Sequence, residues 1–290
     1  MTNKNTPKNI SINKLFPFGG HPFKVQDNEE MNALIESIQE QGILSPLIVR
    51  PKENTEDEYE IVSGHRRFRA AVKAGMKEVP ALIVPLDRDE AAIAVVDSNL
   101  HREHILPSEK AFAYKLKLEA MKRQGSRTDL TCAQVGHKLH GDKSIQLLAN
   151  DSDDSRVQIQ RYIRLTNLIP PILDMVDEKR IAFTPAVELS YLLHEEQTML
   201  LSEMEYNDCT PNLSQAQRLK ELSMQGLFTA EQLSAIMGEE KANQKERVKI
   251  PAERIRKYFP KDYTTAQIEE TIVKLCEAYH RKRLRDRDSR

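Results

Sequence analysis

The sequence has few of the residues that build disulfide-bonded or membrane-spanning proteins. It holds no tryptophan, ten glycines and three cysteines among 290 residues. Three cysteines without a Cys-x-x-Cys pair cannot form a disulfide framework, which favours a reducing compartment. No apolar run approaches the roughly 18 residues of a membrane span, and the polar start over residues 1–9 lacks the features of a signal peptide. We therefore expect a cytoplasmic, helix-rich protein that does not associate with membranes.

A strong net charge is also lacking, because 43 Lys and Arg residues nearly balance 44 Asp and Glu residues. This balance excludes a uniformly basic protein that coats DNA. The charges are nevertheless segregated: residues 27–60 carry a net charge of −8, residues 61–88 carry +4, and residues 174–208 carry −7. Basic blocks of this kind are typical of local phosphate-binding surfaces, and a solvated helix face is the alternative.

The first hundred residues predict a small α/β unit. Asn28 is placed to cap a helix that Gly42 ends. Short β-rich runs and two further helical patterns follow. The predicted strands are 46–50, 59–62 and 79–84, and the predicted helices are 66–74 and 89–96.

Beyond residue 105 the pattern is helical. We predict three segments: an α/β domain over 1–104, an all-α domain over 105–240, and a charged linker with a C-terminal amphipathic helix over 241–290. We interpret 125–143 as an insertion or mobile loop that holds a short helix over 132–139. Acidic helices are predicted over 172–224. The apolar stripe after Thr264 fits a docking surface, a dimer contact or intramolecular packing, and all three alternatives stay open.

Two constellations carry the chemistry of the first domain. Residues 63–70, Ser-Gly-His-Arg-Arg-Phe-Arg-Ala, form a strand-to-helix junction in which a glycine is followed by three arginines. Free N–H groups at a helix start, together with arginines, are suited to binding phosphates. The alternative is that these arginines pair with the acidic residues of the 27–60 stretch. Residues 98–103, Ser-Asn-Leu-His-Arg-Glu, offer an amide, a guanidinium and a carboxylate.

In this order and spacing the two boxes resemble the G-E-R-R-x-R-A and E-N-x-x-R signatures of ParB-type partition proteins. The resemblance extends to Asn9–Leu15 and His21–Lys24, which are similar to the family's N-terminal box. It also includes the Leu34–Pro51 run and a helix-turn-helix region over 144–191. The family's fold is an α/β ParB/sulfiredoxin-like domain followed by an all-α helix-turn-helix domain, with a short helical C-terminal segment.

This resemblance implies that CTP, with Mg²⁺, is bound by the first domain. The residues it assigns to CTP are Gly64, His65, Arg66, Arg67, Arg69, Asn99, Arg102 and Glu103. Two departures matter, because His65 and Ser98 stand where the family has glutamates. Losing two carboxylates weakens the case for Mg²⁺ coordination and for hydrolysis. Weak CTPase activity and nucleotide binding without hydrolysis are therefore both open.

The helix-turn-helix predicts how DNA is read. Ile145, Leu148 and Ala149 mark the buried face of its first helix, and Asp154 or Ser155 caps the second. Arg and Gln side chains pair with guanine and adenine edges, and the N-terminal part of a recognition helix reaches the bases. The predicted DNA-binding residues are Ser155, Arg156, Gln158, Gln160, Arg161 and Arg164, of which Arg164 is assigned to a phosphate or an acidic neighbour.

The leading hypothesis is a nucleoid-associated, homodimeric protein of the ParB type that binds a centromere-like site in double-stranded DNA, with a ParA-type ATPase as a partner. The alternative is a ParB-like transcriptional regulator or nucleoid-occlusion factor with little or no CTP hydrolysis. An enzyme that uses the same domain is disfavoured, since no nucleophile stands out and His65 occupies the place of the reactive cysteine of sulfiredoxin.

Overall fold

The computed structural model describes residues 6–100, 102, 104–131, 141–239, 255–260 and 263–288. The chain divides into two compact units, residues 1–239 and residues 240–290. Within the described residues, no helix combines the length and apolarity that crossing a membrane requires.

A mixed five-stranded sheet forms the centre of the N-terminal part, in the order β1-β5-β3-β4-β2. β3 pairs antiparallel with β4 and parallel with β5. The three strands predicted from the sequence are confirmed, whereas β1 and β2 were missed because they are three or four residues long and lack an apolar pattern of their own. The strands are β1 Lys8–Ser11, β2 Leu15–Pro17, β3 Leu47–Pro51, β4 Tyr59–Ser63 and β5 Glu78–Ile83.

Three helices accompany the sheet: α1 Glu29–Gln41, α2 His65–Lys73 and α3 Arg88–Leu100. As predicted, the Asn28 side chain caps α1 by accepting from the Met31 N–H at 3.0 Å. α3 extends past its predicted end, so Ser98 and Asn99 lie in its last turn rather than in a loop.

In the rest of the first unit, the described residues form helices joined by turns and contain no strand. Its core contains the buried side chains of Leu165, Ile172, Leu189, Leu200 and Leu219. The predicted class, an α/β part followed by a helical part, is confirmed at this level. The helices are α4 Pro107–Thr131, α5 Gly141–Asn150, α6 Arg156–Leu165, α7 Pro170–Asp177, α8 Phe183–Leu189, α9 His194–Asn207, α10 Leu213–Met224 and α11 Ala230–Met237.

The predicted insertion over 125–143 is wrong at both ends. α4 continues to Thr131 and α5 begins at Gly141. The polar composition that indicated a loop also suits a solvated helix, because apolar residues are needed only on a face that packs. The short helix predicted over 132–139 lies outside the described residues.

The second unit contains a long helix, α12, Thr265–Asp288. A capping box starts this helix, because the Thr264 N–H donates to Gln267 Oε1 at 2.8 Å and the Gln267 N–H donates to Thr264 Oγ1 at 3.4 Å. Of the predicted apolar stripe, Ile268 is buried, whereas Leu275 and Tyr279 are exposed. The linker predicted over 241–249 lies outside the described residues.

Candidate functional site

The turn between β4 and α2 is built around Gly64. Its φ of 103° lies in the region that favours glycine. A Cβ atom here would lie 3.2 Å from Leu47 Cγ and 3.2 Å from Arg67 Nη2, so the turn is also crowded. The first N–H groups of α2 have no partner within the helix. The turn therefore presents a row of main-chain donors, as the sequence predicted.

The three arginines that follow have different protein partners. Arg66 donates to Glu30 at 3.0 Å. Arg67 donates to the main-chain oxygens of Ser45 and Pro46. These hydrogen bonds connect the start of α2 to the start of α1 and to residues 45–46, which immediately precede β3.

Arg69 makes a two-pronged contact with Asp27, at 2.9 and 2.6 Å. Lys73 reaches the same carboxylate at 2.7 Å. Hydrogen bonds from these two cations hold the pKa of Asp27 well below its usual value. Arg69 is thus committed to a structural ion pair in the protein as it stands.

His65 forms a ring pair with His21 at the turn between β4 and α2. The ring centroids are 3.8 Å apart, and the Nε2 atoms of both rings are buried without a hydrogen-bond partner among the described residues. The Nδ1 atom of His21 donates to the main-chain oxygen of Phe23 at 2.9 Å. Burial, reinforced by His21 and the positive charge of Arg102, lowers the pKa of His65 to about 3. His65 is therefore a neutral imidazole near pH 7.

Asn99, in the last turn of α3, positions the backbone of Arg102. It is buried, and its amide nitrogen donates to the Val95 oxygen at 2.7 Å. Its main-chain oxygen accepts from the Arg102 N–H at 3.2 Å, which positions Arg102 beside the ring of Phe23. Glu103 lies outside the described residues.

A cavity of about 750 Å³ adjoins this turn, a size that is typical of small-molecule sites. Of the residues predicted from the sequence, Arg66 and Arg102 line it. The other predicted residues that the structure describes do not line it: Gly64, His65, Arg67, Arg69 and Asn99. Sequence reasoning missed the remaining lining residues, among them the charged Lys24, Glu30, Glu109, Asp177 and Lys179. Lys24 lies in the N-terminal box and was within reach of the motif argument, whereas no sequence signal pointed to Lys179.

The residues at the turn do not fit a Mg²⁺ site. Mg²⁺ takes oxygen ligands, and the positions of the two missing glutamates hold an imidazole and a hydroxyl. The carboxylates that line the cavity already serve protein donors: Glu30 accepts from Arg66, Glu109 from the Lys24 N–H, and Asp177 from Ser108. In the part of the chain that the structure describes, no group of three or more His, Cys, Asp or Glu residues is arranged to hold a metal ion.

α5 and α6 form the second candidate site. Leu148 on α5 and Ile159 on α6 are fully buried against Tyr114 of α4. The Ser155 side chain caps α6 by accepting from the Gln158 N–H at 3.3 Å. The buried face of the pair and the cap at Ser155 agree with the sequence analysis.

The acidic turn between α5 and α6 is directed towards α4. Asp154 accepts from the Tyr114 hydroxyl at 2.5 Å and pairs with Lys110 at 2.5 Å. Asp151 lies 3.6 Å from the buried ammonium of Lys117. Of the three acidic residues in this turn, Asp154 is thus paired with groups of the protein itself, whereas Asp151 and Asp153 stay exposed.

The outer side of α6 carries the polar residues predicted from the sequence. Ser155 and Gln160 are exposed, and Arg156, Gln158, Arg161 and Arg164 are partly exposed. Arg161 donates to Thr184 Oγ1 at 2.9 Å and lies 5.1 Å from the centre of the Phe183 ring. Arg164 lies 3.9 Å from the centre of the Tyr191 ring. Sequence reasoning missed these two aromatic supports, because they come from α8 and the residues just after it.

Comparison with known proteins gives consistent matches. Residues 1–100 match the family described as the ParB N-terminal domain. The chain is 30% identical over 214 residues to a nucleoid occlusion protein of Listeria innocua, a match that covers 73% of this chain and 67% of that protein. It is 32% identical over 196 residues to the chromosome-partitioning protein Spo0J of Thermus thermophilus, covering 67% and 64%.

Solved structures of C-terminally truncated ParB from Caulobacter crescentus also align with the chain. The complex with the centromeric parS site is 20% identical with a TM-score of 0.42, and covers 79% of this chain and 98% of that one. The complex with CTP-γ-S is 24% identical with a TM-score of 0.32, and covers 69% and 98%. At these scores the likeness assigns no role to individual residues.

Proposed function

Since this chain belongs to the ParB family, we propose that it is a sequence-specific DNA-binding protein of partition or nucleoid occlusion whose α6 reads the DNA. The observation that carries the proposal is the arrangement around α6. Its polar side is open, its arginines rest on Phe183 and Tyr191, and the acidic Asp154 before it is held by Tyr114 and Lys110. Arginine and glutamine on such a helix make paired hydrogen bonds to base edges.

The experiment that tests this proposal is immunoprecipitation of the protein from its own cells, followed by sequencing of the bound DNA. We expect a small number of sharp peaks that share a sequence motif. Broad shoulders around a peak near the protein's own gene would indicate spreading from a partition site, and isolated peaks would favour a regulator. Uniform coverage of the genome would contradict sequence-specific binding.

The cavity lined by Arg66 and Arg102 is the site that we assign to CTP. Its volume and these two cations support this assignment, and Arg66 lies in the first turn of α2. Because the residues at the turn do not fit Mg²⁺, we assign no hydrolytic step to the site. Titration with labelled CTP, together with a phosphate-release assay, tests this clause. We expect saturable binding without phosphate release, and rapid release would contradict it.

The second candidate function, a regulator or nucleoid-occlusion factor with little CTP hydrolysis, is favoured by His65. A neutral imidazole occupies the position of the family's glutamate. Binding of CTP without turnover, combined with isolated DNA peaks, would select this candidate over a partition protein.

We assign dimer formation to α12. Val273, Leu275 and Tyr279 are exposed on this helix, and a second copy of the chain would cover them. Substituting Leu275 by Glu is expected to shift the protein from dimer to monomer in sedimentation, and an unchanged mass would contradict the assignment. The ParA-type ATPase partner stays a prediction from the resemblance.

A further inference from the structure

The cavity assigned to CTP is walled by two different parts of the chain. Arg66 and Arg102 belong to the sheet and its helices, whereas Asp177 and Lys179 come from the end of α7, which directly follows the DNA-reading helix α6 in sequence. A ligand that fills the cavity therefore meets residues of the helical part as well as Arg66 and Arg102 of the N-terminal part.

Lys179 differs in its surroundings from Lys24 and Arg66, two of the other three Lys and Arg residues that line the cavity. The third, Arg102, lies 5.8 Å from the centre of the Phe23 ring. Lys24 pairs with Asp174 at 3.3 Å and with Asp177 at 3.7 Å, and Arg66 pairs with Glu30. Lys179 is exposed, and the ion pairs of the described residues include none that it makes. It is thus a cation at the cavity wall whose charge no contact within the described chain neutralises.

The backbone at Lys179 is also unusual for a lysine. Its φ is 61°, in the left-handed region. The Lys179 N–H donates to the Val176 oxygen at 3.1 Å and the Arg180 N–H to the Met175 oxygen at 2.9 Å. These two bonds form the helix-terminating motif in which glycine is the usual residue. A lysine in this conformation is less stable than a glycine would be, and no ion pair of its side chain within the described residues compensates for the difference. Residues with such unfavourable backbone angles cluster at ligand sites.

We propose that Lys179 is a nucleotide-binding residue whose ammonium group donates to a phosphate of the CTP in this cavity. The proposal rests on the assignment of CTP above and adds a ligand contact from outside the N-terminal domain. The bound nucleotide then contacts the N-terminal α/β part through Arg66 and Arg102, and the helical part through Lys179.

The test is titration of the full chain with fluorescently labelled CTP, comparing wild type with Lys179→Ala and Lys179→Gly. Loss of one charge-assisted hydrogen bond is expected to raise the Kd about tenfold in both variants. Arg180→Ala is the matched control, because it removes the same charge one residue further along and does not line the cavity. Its Kd is expected to equal that of wild type, and Lys179→Arg should retain most of the affinity.

The glycine variant separates binding from folding. Glycine relieves the left-handed backbone at this position, so the Tm of Lys179→Gly is expected to be no lower than that of wild type while its Kd rises. An unchanged Kd in both Lys179 variants, with wild type binding CTP, would overturn the assignment of Lys179 alone. Equal weakening in Arg180→Ala would also overturn it, by indicating general electrostatics. Failure of wild type to bind CTP would overturn both this proposal and the assignment of the cavity.

Discussion

The hydroxyl of Tyr114 on α4 donates a 2.5 Å hydrogen bond to the Asp154 carboxylate, shortly before the start of α6. Tyr114 is almost completely buried, and Lys110 holds the same carboxylate from the same helix. Burial, together with this bond to an anion, raises the pKa of Tyr114 well above its usual value. The contact fixes the turn and keeps the acidic group away from the exposed side of α6.

Tyr114→Phe is expected to lower the free energy of unfolding by about 1–2 kcal/mol, because the buried carboxylate loses one of its two donors. Urea unfolding measures the difference. The matched control is Tyr206→Phe, which removes the same hydroxyl from an exposed side chain and should change stability very little. Equal effects of the two variants would show that the bond to Asp154 contributes nothing.

Gly64→Ala tests the packing of the turn between β4 and α2. The new Cβ meets both an unfavourable φ and crowding against Leu47 and Arg67, so we expect a loss of about 1–3 kcal/mol in unfolding free energy. Gly75→Ala at the other end of α2 is the control, since its φ of 74° is also positive but nothing lies within 4 Å of the added Cβ. The Gly64 variant should lose more stability than the Gly75 variant. The opposite ranking would contradict the close packing described at this turn.

His65 makes stability depend on pH in a defined direction. Its pKa is about 3 in the folded protein, against an ordinary value of 6.5. Below about pH 6.5 His65 is protonated in the unfolded chain but stays neutral in the folded chain. The contribution of His65 to the free energy of unfolding is therefore complete above about pH 6.5 and falls as the pH is lowered. One such group contributes at most about 1.4 kcal/mol per pH unit.

Urea unfolding of wild type and His65→Gln, between about pH 7.5 and about pH 5, measures this contribution. The variant should lose less stability over the interval than wild type. Parallel curves would mean that the imidazole of His65 is not held neutral by its surroundings.

The sequence predicted the elements whose own residues carry a strong pattern. β3, β4 and β5 are apolar runs bounded by turn residues, and α6 combines a capping serine with a buried face at helical spacing. β1 and β2 are stabilised by pairing with β5 and β4, which lie far away in the sequence, so no local pattern predicts them. The residues of the candidate sites likewise divide into those in local motifs and those brought in by tertiary packing.

Arg66 was found because it belongs to a local motif. Lys179, Phe183 and Tyr191 were not, because tertiary packing alone brings the end of α7 to the cavity and α8 to the arginines of α6. Likewise, the sequence alone places acidic residues just before α6, where their charge would repel DNA. Only the structure shows Asp154 bound to Tyr114 and Lys110.

The most direct test of DNA reading by α6 compares the affinity of wild type and Arg161→Ala for a duplex carrying the immunoprecipitated motif and for a scrambled duplex, at one salt concentration. We expect the variant to lose about 1–3 kcal/mol on the motif and much less on the scrambled duplex. Arg218→Ala serves as the control, because it removes an arginine of α10 that is paired with Glu239. This variant should bind both duplexes like wild type. Equal losses of Arg161→Ala on the two duplexes would make Arg161 a phosphate contact and contradict base reading by this residue.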